Sequence, residues 1–247
     1  MTEYDSLADL YDLEYVHGHD IPFWISLAER EQGPVVEWGA GTGRIAAPLA
    51  ETGLNVTAVE VSERMVERGR KKSEAVEWIR GDMRNARLGR GYGFAVCAFN
   101  SFLCLLDVDD ALAFLRNTRE HLKPEGLLGI DVSAFAPEEL CDSPGSPALC
   151  HDFTRQSDQS TLERFSVSRY NAASQILKIH LFYELYGSGR VLRSKRAHEL
   201  TIRVVGRGEL ELMLRFAGFG IEAVYGGFEG EPFTAESDHL IVLARRT

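Results

Sequence analysis

The chain has 247 residues, a formal net charge of −10, 45% hydrophobic and 26% charged residues, which is the composition of a globular protein long enough to bury a core without a staple. That acidic balance repels a phosphate backbone, so nucleic acid is not an expected partner. Four cysteines with no C-x-x-C pair argue against a zinc ribbon or a disulfide framework, and no apolar run reaches the ~18 residues that a membrane-crossing helix requires.

Tyr4, Leu7, Ala8, Tyr11 and Tyr15 fall on one helical face, so the chain opens on a short amphipathic helix that His17-Gly18-His19 breaks. The acidic start carries no apolar leader run, and a cytoplasmic location is expected. A second helix is predicted over 21–31, with Asp20 as its cap and Pro22 in its first turn, stopping at Gly33-Pro34. Alternation follows. Residues 35–38, 55–60, 75–79, 92–99 and 127–132 read as strands; 45–51, 63–72 (capped by Ser62) and 109–122 read as helices. Strands alternating with helices imply a parallel sheet covered on both faces. Cys97 and Cys104 lie in an apolar stretch and read as small core residues.

The rhythm changes after Ser133. Residues 134–160 are rich in Pro, Ser, Asp and Cys and read as a loop; three β-like runs, 161–170, 175–186 and 191–204, follow. In the middle run Leu177, Ile179, Leu181, Tyr183 and Leu185 alternate with polar residues, the pattern of an antiparallel sheet with one buried face. A helix over 208–217 and strands over 221–225 and 239–244 close the chain. The expected fold class is α/β: a doubly wound, mostly parallel seven-stranded sheet forming one domain over 1–247. Its core is 1–133 with 206–247, and an antiparallel insert, 134–205, serves as a lid or a dimerisation surface near the carboxyl ends of the parallel strands.

Four signals stand in order at the ends of successive strands. The first is Glu37-Trp38-Gly39-Ala40-Gly41-Thr42-Gly43, a strand running into a loop with glycine at alternate positions, which lets a ligand approach the backbone. The second is Glu60, a carboxylate able to accept from both hydroxyls of a ribose. Gly81-Asp82-Met83 is the third, with an acceptor for an exocyclic amine beside a thioether that can pack on a ring. The fourth is Phe99-Asn100-Ser101-Phe102. A dinucleotide fingerprint would place Gly or Ala where Arg44 stands.

With those motifs the chain resembles the class I S-adenosylmethionine-dependent methyltransferase family, of the small-molecule type that includes sugar N-methyltransferases and glycine N-methyltransferase-like enzymes. The resemblance covers the core, and extends to the Tyr11-Asp12 lid helix and the antiparallel insert. It implies S-adenosyl-L-methionine as cofactor, S-adenosyl-L-homocysteine as product, and in-line methyl transfer to N or O of a small acceptor. It implies cofactor contacts from Glu37, Gly39, Ala40, Gly41, Gly43, Glu60, Val61, Met65, Gly81, Asp82, Met83, Asn100 and Ser101. Trp38 stands where the family has a small aliphatic residue and is expected to pack on a neighbouring element. The base-methylating [N/D]-P-P-[Y/F] motif is replaced by Asn100-Ser101-Phe102-Leu103, in keeping with a small acceptor.

On the acceptor side Tyr11 is the leading catalytic candidate, with packing as its plainer role, and Asp131 is a candidate base or orienting group. None of the seven histidines is singled out. Arg190, Arg193, Lys195, Arg196 and Arg203 make one end of the insert basic, as a solvated strand face or as a site for an anionic acceptor. Two other readings stay open: a nicotinamide-dependent oxidoreductase, and a non-catalytic S-adenosylmethionine-binding module.

Overall fold

The computed structural model describes residues 5, 8–15, 18–89, 91–135, 140, 148–155 and 160–247; Tyr4, Leu7, the break at His17, Cys141 and the side chains of Cys150 and His151 lie outside what is described. The larger sheet has seven strands in the order β10-β11-β5-β4-β1-β2-β3. Strand β1 (Val35–Trp38) lies between β2 (Val56–Glu60) and β4 (Tyr92–Cys97), and every residue of these three strands is buried. That is the signature of parallel strands covered on both faces. Strand β3 (Glu77–Arg80) closes one edge. On the other side β11 (His239–Arg246) runs antiparallel to both β5 (Leu122–Ser133) and β10 (Phe219–Tyr225).

Helices α1 (Ala8–Glu14), α2 (Ile21–Glu31), α3 (Ala46–Glu51), α4 (Glu63–Lys72), α5 (Val108–His121) and α6 (Arg207–Phe216) dress the sheet. Two of them start as polar sequence cues suggest. Ser62 caps α4 by accepting from the Met65 N–H at 3.3 Å, and Asp107 caps α5 by accepting from the Asp110 N–H at 2.8 Å. Asp20 does not cap α2: its carboxylate takes the Arg44 guanidinium at 2.6 and 2.8 Å, a bidentate charged pair that outcompetes a capping bond. Trp38, the unusual residue before the glycine loop, is fully buried and meets Phe114 of α5 edge-on, ring centroids 6.2 Å apart.

Between β5 and α6 the chain builds a separate antiparallel sheet, order β6-β7-β8-β9. Its strands are β6 (Ala148–Arg155), β7 (Ser160–Asn171), β8 (Ile176–Gly187) and β9 (Val191–Arg203). The expected loop over 134–160 is therefore corrected: its second half holds β6, paired in register with β7 from Ala148↔Ser166 to Arg155↔Ser160. Ladder pairing to a ready neighbour overrides a composition that favours loops. The β7–β8 turn is held by the Asn171 carboxamide oxygen, which accepts from the Ala173 N–H at 3.0 Å. The β8–β9 turn uses Gly189 at φ +74°. Leu177, Leu181 and Tyr183 of β8 are buried as the alternation predicts.

Candidate active site

At the carboxyl ends of β1, β2 and β4 the chain leaves the sheet in tight turns. Gly39, Gly41 and Gly43 all adopt positive φ, at +68°, +56° and +80°, which a residue with a Cβ reaches only with strain. Glu60 ties this loop to the next one. Its Oε2 accepts from the Gly41 N–H at 2.9 Å and its Oε1 from the Ser62 N–H at 2.8 Å. Burial pushes the Glu60 pKa up, against the pull of the Ser62, Gly41 and Val61 amides. Each oxygen keeps a second acceptor position. Beneath the loop Glu37 is fully enclosed: burial pushes its pKa up to about 8 despite Arg44 and the Ala46 amide, and its Oε2 has no partner.

A cavity of about 340 Å³ opens over this loop. Its sheet side is formed by Gly39, Gly41, Glu60, Val61, Met65, Met83, Asn100 and Ser101, so eight of the expected cofactor residues converge on one space. Gly43 lies away from it and instead makes room for Trp78, which a Cβ would strike at 2.6 Å. Glu37, Ala40 and Gly81 also lie outside the lining. So does Asp82, whose two oxygens are held by the Arg84 side chain at 2.6–3.0 Å.

The roof of the cavity comes from α1 and the inserted sheet. A Cβ on Gly41 would sit 3.7 Å from the Tyr11 ring, which lies over the loop. Burial raises the Tyr11 pKa, so its hydroxyl stays protonated at neutral pH. Tyr15, one turn on, packs between Tyr11 and Phe99, with centroids 4.7 and 4.8 Å away. Glu14 beside it is buried; it accepts from the Tyr183 hydroxyl at 2.6 Å and pairs with the Arg164 guanidinium. Burial, opposed by Arg164, lifts the Tyr183 pKa to about 12. Ser166, Ile179, Leu181, Leu200 and Ile202 of the insert complete an otherwise apolar ceiling.

Asp131 is almost wholly buried and does not line the cavity. Its Oδ2 accepts from the Phe99 N–H at 3.0 Å and its Oδ1 meets His239 Nδ1 at 2.8 Å. It thereby braces the Phe99-Asn100 turn, where both residues have positive φ, at 53° and 67°. Asn100 is fixed again by exchanging hydrogen bonds with Ser133. The Ser101 hydroxyl donates to the Gly39 carbonyl at 3.0 Å, joining this turn to the glycine loop. The basic end of the insert is neutralised rather than turned inward: Arg190 pairs with Glu163, Lys195 with Glu184, Arg196 with Asp9 and Arg203 with Glu209.

Glu14, Tyr15, Phe99, Arg164 and Tyr183 are site residues that no motif signalled. Glu14 and Tyr15 are one helical turn from Tyr11, and Tyr183 sits on the apolar face of β8, so their orientation was readable; the surface they face was not. Among the described residues no group of His, Cys, Asp and Glu is arranged to hold a metal ion.

Residues 35–126 match the family model described as "Methyltransferase domain". The chain is 28% identical to the cypemycin N-terminal methyltransferase of a Streptomyces species over 93% of this chain and 90% of that protein. It is 27% identical to a Streptomyces venezuelae dTDP-3-amino-3,4,6-trideoxy-alpha-D-glucopyranose N,N-dimethyltransferase, covering 90% of this chain and 94% of the relative. Among solved structures the CcbJ methyltransferase of Streptomyces caelestis superposes with a TM-score of 0.80 at 26% identity, over 100% of this chain and 98% of that one.

Proposed function

We propose that this chain, a class I S-adenosylmethionine-dependent methyltransferase, methylates the nitrogen of a small amine. The observation that carries this is the single cavity bounded by the glycine loop and Glu60 on one side and by Glu14, Arg164 and Tyr183 on the other. The residues present fit the cofactor. Gly41 leaves open the space that a Cβ would fill beneath Tyr11, Glu60 keeps acceptor positions for a pair of hydroxyls, and Val61, Met65 and Met83 offer an apolar bed for a flat ring.

When bound, S-adenosylmethionine supplies a methyl group already activated by a cationic sulfur. What this chain must do is align and dry the site. Gly39 and Gly41 bring backbone close, while Asn100 and Ser101 border the cavity between the loop and the insert. Tyr11 and Tyr15 line the side facing α1, and burial keeps the Tyr11 hydroxyl protonated, as a donor toward the cavity's contents. Glu37 and Asp131 act from beneath, as braces of the loops rather than as contacts. Nitrogen is favoured as acceptor because two relatives are named for N-terminal methylation and for N,N-dimethylation of an amino sugar, and because an amine in its neutral form needs no further deprotonation before attack.

The same reading makes the enzyme cytoplasmic, in keeping with the buried free thiol of Cys97. It has no nucleic-acid partner, and the insert is a surface through which it could pair with a second copy, which sedimentation would show. No helix among the described residues is long and apolar enough to cross a membrane. The test is calorimetric titration with S-adenosylmethionine, then methyl transfer to matched panels of amines and alcohols. Saturable binding and transfer to amines are expected. No cofactor binding, or transfer to alcohols alone, would overturn it.

A further inference from the structure

Behind Tyr15 and Phe99 lies a second chamber of about 200 Å³. It shares Glu14, Tyr15, Phe99 and Arg164 with the first, so the two are neighbouring rooms with a common wall. Its far side brings His19 and Asp20 together with Arg44, Phe228 and His239.

The charges on its walls are largely paired with one another. Both carboxylates on its walls already hold cations: Asp20 holds Arg44 in a bidentate pair, and Glu14 holds Arg164 and the Tyr183 hydroxyl. Arg44 also lies over the Phe99 ring, its guanidinium carbon 4.6 Å from the centroid. Donors remain. The Arg164 Nε–H is buried with no partner, a costly state that a bound acceptor would relieve. His239 spends its Nδ1 on Asp131 at 2.8 Å; since a carboxylate only accepts, Nδ1 carries the hydrogen and Nε2 is left over. The Asp131 hydrogen bond, with Asp238 and Asp20 nearby, raises the His239 pKa against burial, which favours a doubly protonated ring.

A site with spare donors, aromatic walls and room for a few heavy atoms suits a small anion. We propose that the second chamber holds a carboxylate of the methyl acceptor, so that the substrate is an amino carboxylate whose nitrogen lies in the first chamber and whose acid group contacts His239 and Arg164. This rests on the methyl-transfer reading above and narrows its substrate class. The carboxylate enters by replacing chamber water, and no bond within it changes during turnover.

The experiment is calorimetry on the full chain saturated with S-adenosylhomocysteine, which permits acceptor binding without turnover. Probes are amino acids with increasing separation of amine and carboxylate, the matching amines without the carboxylate, and the matching aminophosphonates. The expected result is an amino carboxylate that binds about tenfold or more tighter than its matching amine, the factor a charged hydrogen bond supplies. That factor should fall towards one in His239→Gln and in Arg164→Gln, with cofactor affinity kept within about twofold as proof of an intact fold.

Equal affinity for acid and amine in the unaltered protein overturns the proposal, and so does a preference that survives both substitutions. Preference for the phosphonate overturns the carboxylate assignment. Methylation of plain amines with no saturable binding of any amino carboxylate also sinks it while leaving methyl transfer standing. Absence of cofactor binding sinks both.

Discussion

Glu60 braces two loops and, on the proposed reading, also binds the cofactor. Replacing it with Ala removes the acceptor for the Gly41 and Ser62 amides as well as the one offered to the cofactor. S-adenosylmethionine affinity should drop roughly tenfold to a hundredfold, the ~1–3 kcal/mol of a lost charged hydrogen bond; calorimetry reads it directly. Gly41→Val is more severe. It forces φ +56° on a branched residue at a cost of about 1–2 kcal/mol and fills the gap below Tyr11, so binding should be abolished and the melting temperature lowered. His239 carries a pH signature. Its pKa is raised in the fold by the Asp131 hydrogen bond, so its stabilising contribution is complete below the ordinary histidine value of about 6.5 and is lost as pH rises through the raised value. Melting temperatures of the parent and His239→Gln should therefore converge on going from acid to alkaline buffer; a constant gap would contradict the linkage. At this scale the sequence was legible where a functional residue ends a strand. Glu60 reads that way because β2 aims it at the crevice. Asp82 has the same local setting, yet Arg84 two residues later captures both oxygens. Asp131 lies two residues before the end of β5, but the tertiary approach of His239 and Phe99 buries it. Capture by a rival polar partner, whether near or distant in sequence, leaves no mark in a motif.

Helix α1 is fastened on two sides. Toward the core Asp12 meets Lys72 at 2.7 Å, Arg68 at 3.1 Å and the Thr42 hydroxyl at 2.5 Å. Toward the insert Asp9 holds Arg196 at 2.7 Å, and Glu14 holds Arg164 and Tyr183. Burial pushes the Asp12 pKa up, but Lys72, Thr42 and Arg68 prevail and hold it below its usual value. Asp12→Asn should loosen α1 by about 0.5–1 kcal/mol, typical of part-exposed pairs, and speed hydrogen exchange over residues 8–14. Added salt should reproduce part of that effect in the parent. Elements were legible in proportion to their periodicity. The β1–β5 alternation and β8 stand out because each repeats a burial pattern that only one kind of element satisfies. Strand β6 was missed because its place is decided by β7, a pairing that composition does not encode.

At the scale of the molecule the insert is a ceiling. It turns a shallow crevice at the strand ends, a feature of doubly wound sheets in general, into a cavity of about 340 Å³ with a polar corner at Glu14, Arg164 and Tyr183. Tyr183→Phe takes one hydrogen bond from that corner. It should raise the acceptor KM about fivefold (~1 kcal/mol) and leave the cofactor dissociation constant unchanged, which steady-state kinetics alongside calorimetry can resolve. The core topology could be read in advance because strands and helices follow one another to Ser133, with a helix absent, among the described residues, only between β3 and β4. The cavity could not, because its shape depends on how two sheets and one helix face one another, and no local pattern carries that.

The seven-residue helix α1 lies across the glycine loop, held by its ion pairs, by Tyr11 and Tyr15, and by Leu10 packed with Leu162 and Leu181 of the insert. Exchange of a cofactor held beneath Tyr11 would require that grip to open. Turnover then runs to the beat of unfastening, and the enzyme should show a pace set by departure of the spent cofactor: a rapid first round of methylation in stopped-flow, followed by slower cycles that quicken when Asp9 or Asp12 loses its charge.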